Sequence, residues 1–168
     1  MILGVVLAGG RSSRFGSNKA EALLGDRALM DHARAVLAPH VADTMIVGGA
    51  SGDMPDLPRA DMGPLGGIAG ALDRAATLGY ASVMTIACDM PRLPEGLVAA
   101  LARRAPSFCP DAPVLGHWPV EVGPALLAEI ESFPNRSVRR WALAIGALPI
   151  ASPGVIPNVN TPADLATL

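Results

Sequence analysis

With 168 residues and a formal net charge of −2, the chain suits one domain, residues 1–168, and lacks the basic surplus of proteins that track nucleic-acid phosphates. Hydrophobic residues make up 51% of it but aromatics only 4%, so the core has to be built from Ala, Leu, Val, Ile and Met. Two cysteines, Cys88 and Cys109, provide neither a disulfide framework nor zinc spacing, which fits a reducing cytoplasm.

The first residues lack the basic n-region of a signal peptide, so none is expected. The uncharged run from Trp141 to Ala163 approaches the ~20 apolar residues of a membrane span. It also holds Gly146, Pro149, Pro153, Gly154, Pro157 and Pro162, so it reads as a strand, turns and a helix start, with no membrane partner.

Ile2 to Leu7 is an apolar strand running straight into Leu7-Ala8-Gly9-Gly10-Arg11-Ser12-Ser13-Arg14-Phe15-Gly16-Ser17-Asn18-Lys19. Glycines allow backbone amides to approach an anion closely, and Arg11, Arg14 and Lys19 supply countercharge without an opposing acid. This is the composition of a loop that wraps polyphosphate. It is neither of two better-known phosphate loops. Five residues separate Gly10 from Gly16, where the P-loop needs four, and Gly9-Gly10-Arg11 does not open a Gly-x-Gly-x-x-Gly fingerprint.

Further along, Gly25-Asp26-Arg27 turns the chain, and Leu29, Ala33, Val36 and Leu37 recur at helical spacing over 28–38, ahead of Pro39. Thr44 to Val47 reads as a second strand ended by Gly48-Gly49, and 50–58 as loop. Asp61-Met62-Gly63-Pro64-Leu65-Gly66-Gly67-Ile68 breaks regular structure just before a helical pattern over 68–78; a helix N-terminus there favours anions. Ala81 to Ala87 is apolar enough for a central strand. It ends at Cys88-Asp89-Met90-Pro91, which puts Asp89 where open α/β sheets bind ligands; a plain capping role is the alternative.

A surface helix is expected over 95–104. Pro110, Pro113 and Pro119 restrict 108–122 to irregular or edge strands. Two helices follow, 123–130 and 136–145, the second with Asn135 as candidate N-cap and Ser137 close by. Arg136, Arg139 and Arg140 cluster at its start, as a solvated face or a dock for an anionic substrate. A short strand is expected over 148–151. In the closing Asn158-Val159-Asn160-Thr161-Pro162-Ala163-Asp164-Leu165, Thr161 can cap a helix with Pro162 first and Asp164 third. Strands alternating with helices give an α/β fold, a three-layer α/β/α sandwich around a mostly parallel Rossmann-like sheet.

The glycine- and arginine-rich loop resembles the signature Leu-Ala-Gly-Gly-x-Ser-x-Arg-Met-Gly-x-Asp-Lys of MobA-like nucleotidyltransferases, and within them the molybdenum cofactor guanylyltransferases. Phe15 and Asn18 replace the usual Met and Asp, and Lys19 is kept. The likeness returns at Gly63-Pro64-Leu65, Asp89-Met90-Pro91, His117-Trp118-Pro119 and the closing Asn158-to-Leu165 stretch, so it covers nearly the whole chain. An Asn usual after the second strand is absent, since Gly48-Gly49-Ala50 stands there, and so is an arginine often found upstream of His117.

The resemblance implies a nucleotide-diphospho-sugar transferase-like fold and transfer of GMP from GTP to molybdopterin or the molybdenum cofactor, with loss of pyrophosphate. It implies Mg2+ held by Asp89, and Arg11, Lys19 and Asp89 as the catalytic set. Leu7, Ala8, Gly9, Gly10, Lys19, Asp61 and Asp89 would bind the nucleotide, and Asn158 and Asn160 would help build the site. Molybdoenzymes or their chaperones would receive the product. Two other readings share the motifs: a cytidylyl- or sugar-phosphate nucleotidyltransferase, and a nucleotide-binding module without catalysis.

Overall fold

The structure, a computed structural model, describes residues 1–9, 19–49 and 52–165. Gly10 and Arg11, with the loop up to Asn18, lie outside the described residues. The elements in chain order are β1 (Ile2–Leu7), β2 (Leu23–Leu24), β3 (Arg27–Ala28), α1 (Leu29–Leu37), β4 (Asp43–Val47), α2 (Pro64–Thr77), β5 (Ser82–Ala87), α3 (Leu97–Ala102), β6 (Ser107–Cys109), β7 (Ala112–Pro119), α4 (Gly123–Glu129), α5 (Val138–Ala144), β8 (Leu148–Pro149) and α6 (Pro162–Leu165).

Six strands form one sheet in the order β4-β1-β5-β7-β6-β8, and β2 and β3 make a separate two-stranded hairpin. β1 pairs in parallel with β4 and with β5, β6 pairs in parallel with β8, and β7 runs antiparallel to both its neighbours. The sheet is therefore mixed but mostly parallel. Alternation along β1 divides the core between its two faces. Leu3, Val5 and Leu7 pack with Leu65, Ile68 and Leu72 of α2 and with Trp141 of α5. Val6 joins Leu37 of α1 and Leu97 and Leu101 of α3 on the other side. These are the expected three layers.

The region 107–119 departs from expectation. β7 is not an edge strand; it lies inside the sheet between β5 and β6. Its prolines are tolerated by position. The register slips between Phe108, opposite Gly116, and Cys109, opposite Ala112, so Pro113 falls in the irregularity, and Pro119 ends the strand. Trp118 lies on β7 with its ring 4.8 Å from that of Trp141, tilted 48°, and donates its indole N–H to Thr85 Oγ1 at 2.8 Å. A chain poor in aromatics thus uses two of them to join β7 to α5. A smaller correction concerns α5. Asn135 and Arg136 have φ of 55° and 45°, and the cap is Ser137, whose Oγ accepts the Arg140 amide at 3.3 Å.

Glycine lets α2 lie close to the segment after β4. A Cβ at Gly70 would stand 2.3 Å from the Pro55 carbonyl oxygen, a contact that backbone must move to relieve. Gly70→Ala is therefore expected to destabilise the protein by roughly 1–3 kcal/mol, read as a lower urea midpoint with an unchanged slope.

Candidate active site

Parallel register brings three strand ends level. Leu7 of β1 stands opposite Val47 of β4 on one side and Ala87 of β5 on the other. The segments that follow emerge side by side at the carboxyl edge, where open sheets of this kind bind ligands. Two backbone bonds stitch them together: Ala8 N–H to Val47 O at 2.9 Å and Cys88 N–H to Leu7 O at 3.1 Å. The Ala8 amide is thus spent within the sheet, so an anion cradle after β1 starts at Gly9. Gly48, with φ of 74°, lies against Gly9; a Cβ on it would come within 3.0 Å of the Gly9 Cα and N.

A cavity of about 330 Å³ opens at this edge, and Leu7, Ala8, Gly9, Lys19, Asp89 and Asn158 all contribute to its wall. Lys19 begins a short 3-10 helix (Lys19–Glu21) anchored by the buried Ala20. Its ammonium donates to Asp89 Oδ2 at 2.8 Å and to Asn160 Oδ1 at 3.4 Å. The Lys19 and Asp89 side chains are only 17% and 20% exposed. The other carboxylate oxygen, Asp89 Oδ1, is buried without a hydrogen-bond partner among the described residues. An orphaned carboxylate oxygen inside a cleft is costly unless something else completes it.

The closing segment completes this wall. Val159 is fully buried and donates its amide to the Asp89 carbonyl at 3.0 Å. Asp164 accepts the amides of Asn160 at 2.8 Å and Thr161 at 2.7 Å, the acidic half of the expected capping box. Those two bonds, Asn160 first, hold the Asp164 carboxyl below the usual carboxylate range. Cys88 lines the same cavity, but burial, then the Asp89 charge, push its thiol up to about 11, so it packs as a neutral group.

A second cavity of about 220 Å³ shares Leu7, Gly9 and Pro64 with the first and is closed by Asp56 and Asp61. Asp61 sits at its exposed rim with φ of 62°, and its carbonyl accepts Arg136 Nη1 at 3.3 Å. Asp56 lies deeper. Cβ atoms placed on Gly9, Gly48 and Gly67 would stand 3.5, 3.3 and 3.6 Å from its carboxylate, so it fills the space these glycines leave. Burial, and secondarily the charge of Asp61, raise its pKa above the usual carboxylate value. Asp56 carries no periodic signal in the sequence, because it stands between Pro55 and Pro58 in a stretch without periodicity. An acid held between prolines shortly after a strand end was the available signal.

Of the residues singled out from the sequence, Leu7, Ala8, Gly9, Lys19 and Asp89 meet at the larger cavity and Asp61 borders the smaller. His117 is at neither. It is buried, its Nδ1 3.0 Å from the Leu101 carbonyl and its Nε2 2.8 Å from Ser82 Oγ. A carbonyl only accepts, so Nδ1 carries the proton and Nε2 accepts from the serine. Burial lowers its pKa, and the ring is a neutral brace between β7, β5 and α3. Among the described residues, no three His, Cys, Asp or Glu side chains form a metal cluster, and no helix is long and apolar enough to cross a membrane.

A mixed α/β sheet with a lysine–carboxylate pair beyond its strand ends, flanked by a glycine-lined pocket, forms a ligand site where open α/β sheets carry theirs. The family model for the MobA-like NTP transferase domain matches residues 4–145, and the chain belongs to that family. It is 36% identical to a molybdenum cofactor guanylyltransferase of Rhizobium leguminosarum bv. trifolii, over 98% of this chain and 90% of the relative. Its fold is that of molybdopterin-guanine dinucleotide biosynthesis protein A from Archaeoglobus fulgidus, with TM-score 0.74, 19% identity and coverage of 98% and 95%. It is also that of a Mycobacterium tuberculosis protein solved in complex with manganese, with TM-score 0.60, 16% identity and coverage of 99% and 97%.

Proposed function

We propose that the chain transfers GMP from GTP to the phosphate of molybdopterin or the molybdenum cofactor, releasing pyrophosphate. The observation that carries this reading is the meeting of Lys19 and Asp89, 70 residues apart in sequence, in the cavity walled by Leu7, Ala8 and Gly9. The acceptor phosphate attacks the α-phosphorus of the nucleotide, and the bond from that phosphorus to the bridging oxygen breaks. A phosphate oxygen is already ionised near neutral pH, so no general base is needed. The work left for the protein is positioning and charge neutralisation.

Asp89 supplies a hard oxygen donor with one atom that no described residue satisfies, which fits a divalent cation, Mg2+ in this reading. Such a cation, completed by phosphate oxygens and water rather than by further side chains, would neutralise charge on the transferring phosphoryl group. Lys19 is placed to hold the phosphates beside it, and Arg11, outside the described residues, is the second countercharge. Gly9 and Gly10 give the backbone room to approach. The partners are GTP, the molybdopterin acceptor, and the molybdoenzymes or chaperones that take the product.

The smaller cavity suits the base and ribose. Asp56 is an acceptor there, and guanine presents N1–H and its exocyclic amine as paired donors, which cytosine does not. Asp56→Asn is expected to raise KM for GTP about 10-fold or more and to change kcat by much less, because the lost interaction is made equally in the ground and transition states. Asp61, at the rim, is the second nucleotide contact.

Pyrophosphate release from GTP, measured with molybdopterin and Mg2+ and compared with CTP, UTP and a sugar 1-phosphate acceptor, tests the reading. Release that needs both GTP and the pterin supports it. Release with CTP or a sugar phosphate overturns the substrate assignment, and none with any acceptor makes the chain a binding module.

A further inference from the structure

We propose that Lys19 is an internal rival of the metal: its ammonium holds Asp89 until a triphosphate draws it away, so a divalent cation binds well only together with the nucleotide. The inference rests on the reading that Asp89 carries the cation, and it adds an order of events that this reading does not contain.

Three observations carry it. Lys19 Nζ lies 2.8 Å from Asp89 Oδ2, so the carboxylate is already neutralised. The pair is largely withdrawn from water, with side chains 17% and 20% exposed, so solvent screens the charges weakly. Among the described residues lining the cavity, Asp89 is the sole acid and Lys19 the sole base; the Asp164 carboxylate, near enough to feel the Lys19 charge, is already engaged by the Asn160 and Thr161 amides. A divalent cation arriving alone at Asp89 would therefore meet an ammonium separated from it by one carboxylate. Its attraction to a single negative charge would be offset by repulsion from Lys19.

A metal-bound triphosphate changes this balance. Lys19 exchanges Asp89 for phosphate oxygens, and the cation gains Asp89 in the same event. Every charge keeps an opposite partner throughout. Lys19 also has somewhere to pivot, since Asn160 Oδ1 lies 3.4 Å from its ammonium and stands on the segment that closes the cavity. The buried Oδ1 of Asp89, without a partner among the described residues, is the atom such an exchange completes.

The consequence runs against intuition: removing a site residue should improve metal binding. Mn2+ is the probe, titrated by electron paramagnetic resonance into the full chain with and without a non-hydrolysable GTP analogue. The native protein is expected to bind Mn2+ alone weakly and to gain at least ~10-fold with the analogue. Lys19→Gln is expected to bind Mn2+ alone at least ~10-fold more tightly than the native protein and to lose most of the gain from the analogue. Lys19→Arg keeps the charge and should keep metal binding weak, which separates charge from bulk, and a thermal melt confirms that each variant is folded. Equal affinity of native and Lys19→Gln for Mn2+ alone, or a native protein that binds Mn2+ as tightly without the analogue as with it, overturns the inference. If Asp89→Asn leaves analogue-dependent Mn2+ binding unchanged, the assignment of Asp89 itself is what fails, and the inference falls with it.

Discussion

Asp89→Asn is expected to lower nucleotidyl transfer at least ~100-fold, about 2.7 kcal/mol of transition-state stabilisation. The substitution keeps the shape of the side chain and removes its charge. Two consequences follow at one place. The carboxylate that would share a cation with the phosphates is gone, and Lys19, 2.8 Å away, loses its ionic partner in a poorly hydrated pocket. The loss should fall on kcat, because the charge that Asp89 organises builds up in the transition state, and still more on kcat/KM, because the cation that Asp89 would hold enters with the nucleotide. Steady-state pyrophosphate release measures it. A change of only a few-fold would show that Asp89 caps the end of β5 and does no more.

Lys19→Ala is expected to cost a similar factor, at least ~100-fold in kcat/KM, for a different reason. Its ammonium is the one described cation on the wall of the larger cavity. Without it, charge gathering on the leaving pyrophosphate loses a counterion that water entering the site replaces poorly. Because Lys19 also contacts Asp89 and Asn160, its loss loosens the join between the turn after β5 and the closing segment. Lys19→Arg should recover part of the rate, since it restores charge but not the compact geometry of an ammonium. Equal rates for Lys19→Ala and the native protein would remove the lysine from the mechanism.

The part of this site legible in the sequence is the part written in strand ends. β1 and β5 are apolar runs that end abruptly in Gly9 and in Cys88-Asp89, and parallel strands in one sheet must deliver their carboxyl ends to the same edge. The three layers could be foreseen for the same reason, since helical and extended patterns alternate along the chain. The closing Thr161-Pro162-Ala163-Asp164 box was legible as well, because capping is local chemistry, and Asp164 does accept the Thr161 amide at 2.7 Å.

What escaped depends on contacts between distant segments. The interior place of β7 could not be read from a stretch with three prolines, because a register slip that shelters Pro113 is a property of two strands together. The choice of Ser137 over Asn135 as cap was decided by the left-handed turn at 135 and 136, which local propensity leaves open. Asp56 owes its place to glycines at 9, 48 and 67, which come from three separate parts of the chain: after β1, after β4 and within α2. His117 drew notice only through the family likeness at His117-Trp118-Pro119; its partners, Leu101 and Ser82, make it structural.

The most direct test of the central claim is a crystal structure of the full chain with a non-hydrolysable GTP analogue and Mg2+. The expected result is a cation about 2.0–2.1 Å from an Asp89 oxygen, bridging to the phosphates, with Lys19 on the triphosphate and the guanine beside Asp56. A nucleotide bound away from Gly9 and Lys19, or a cation that does not touch Asp89, would contradict it.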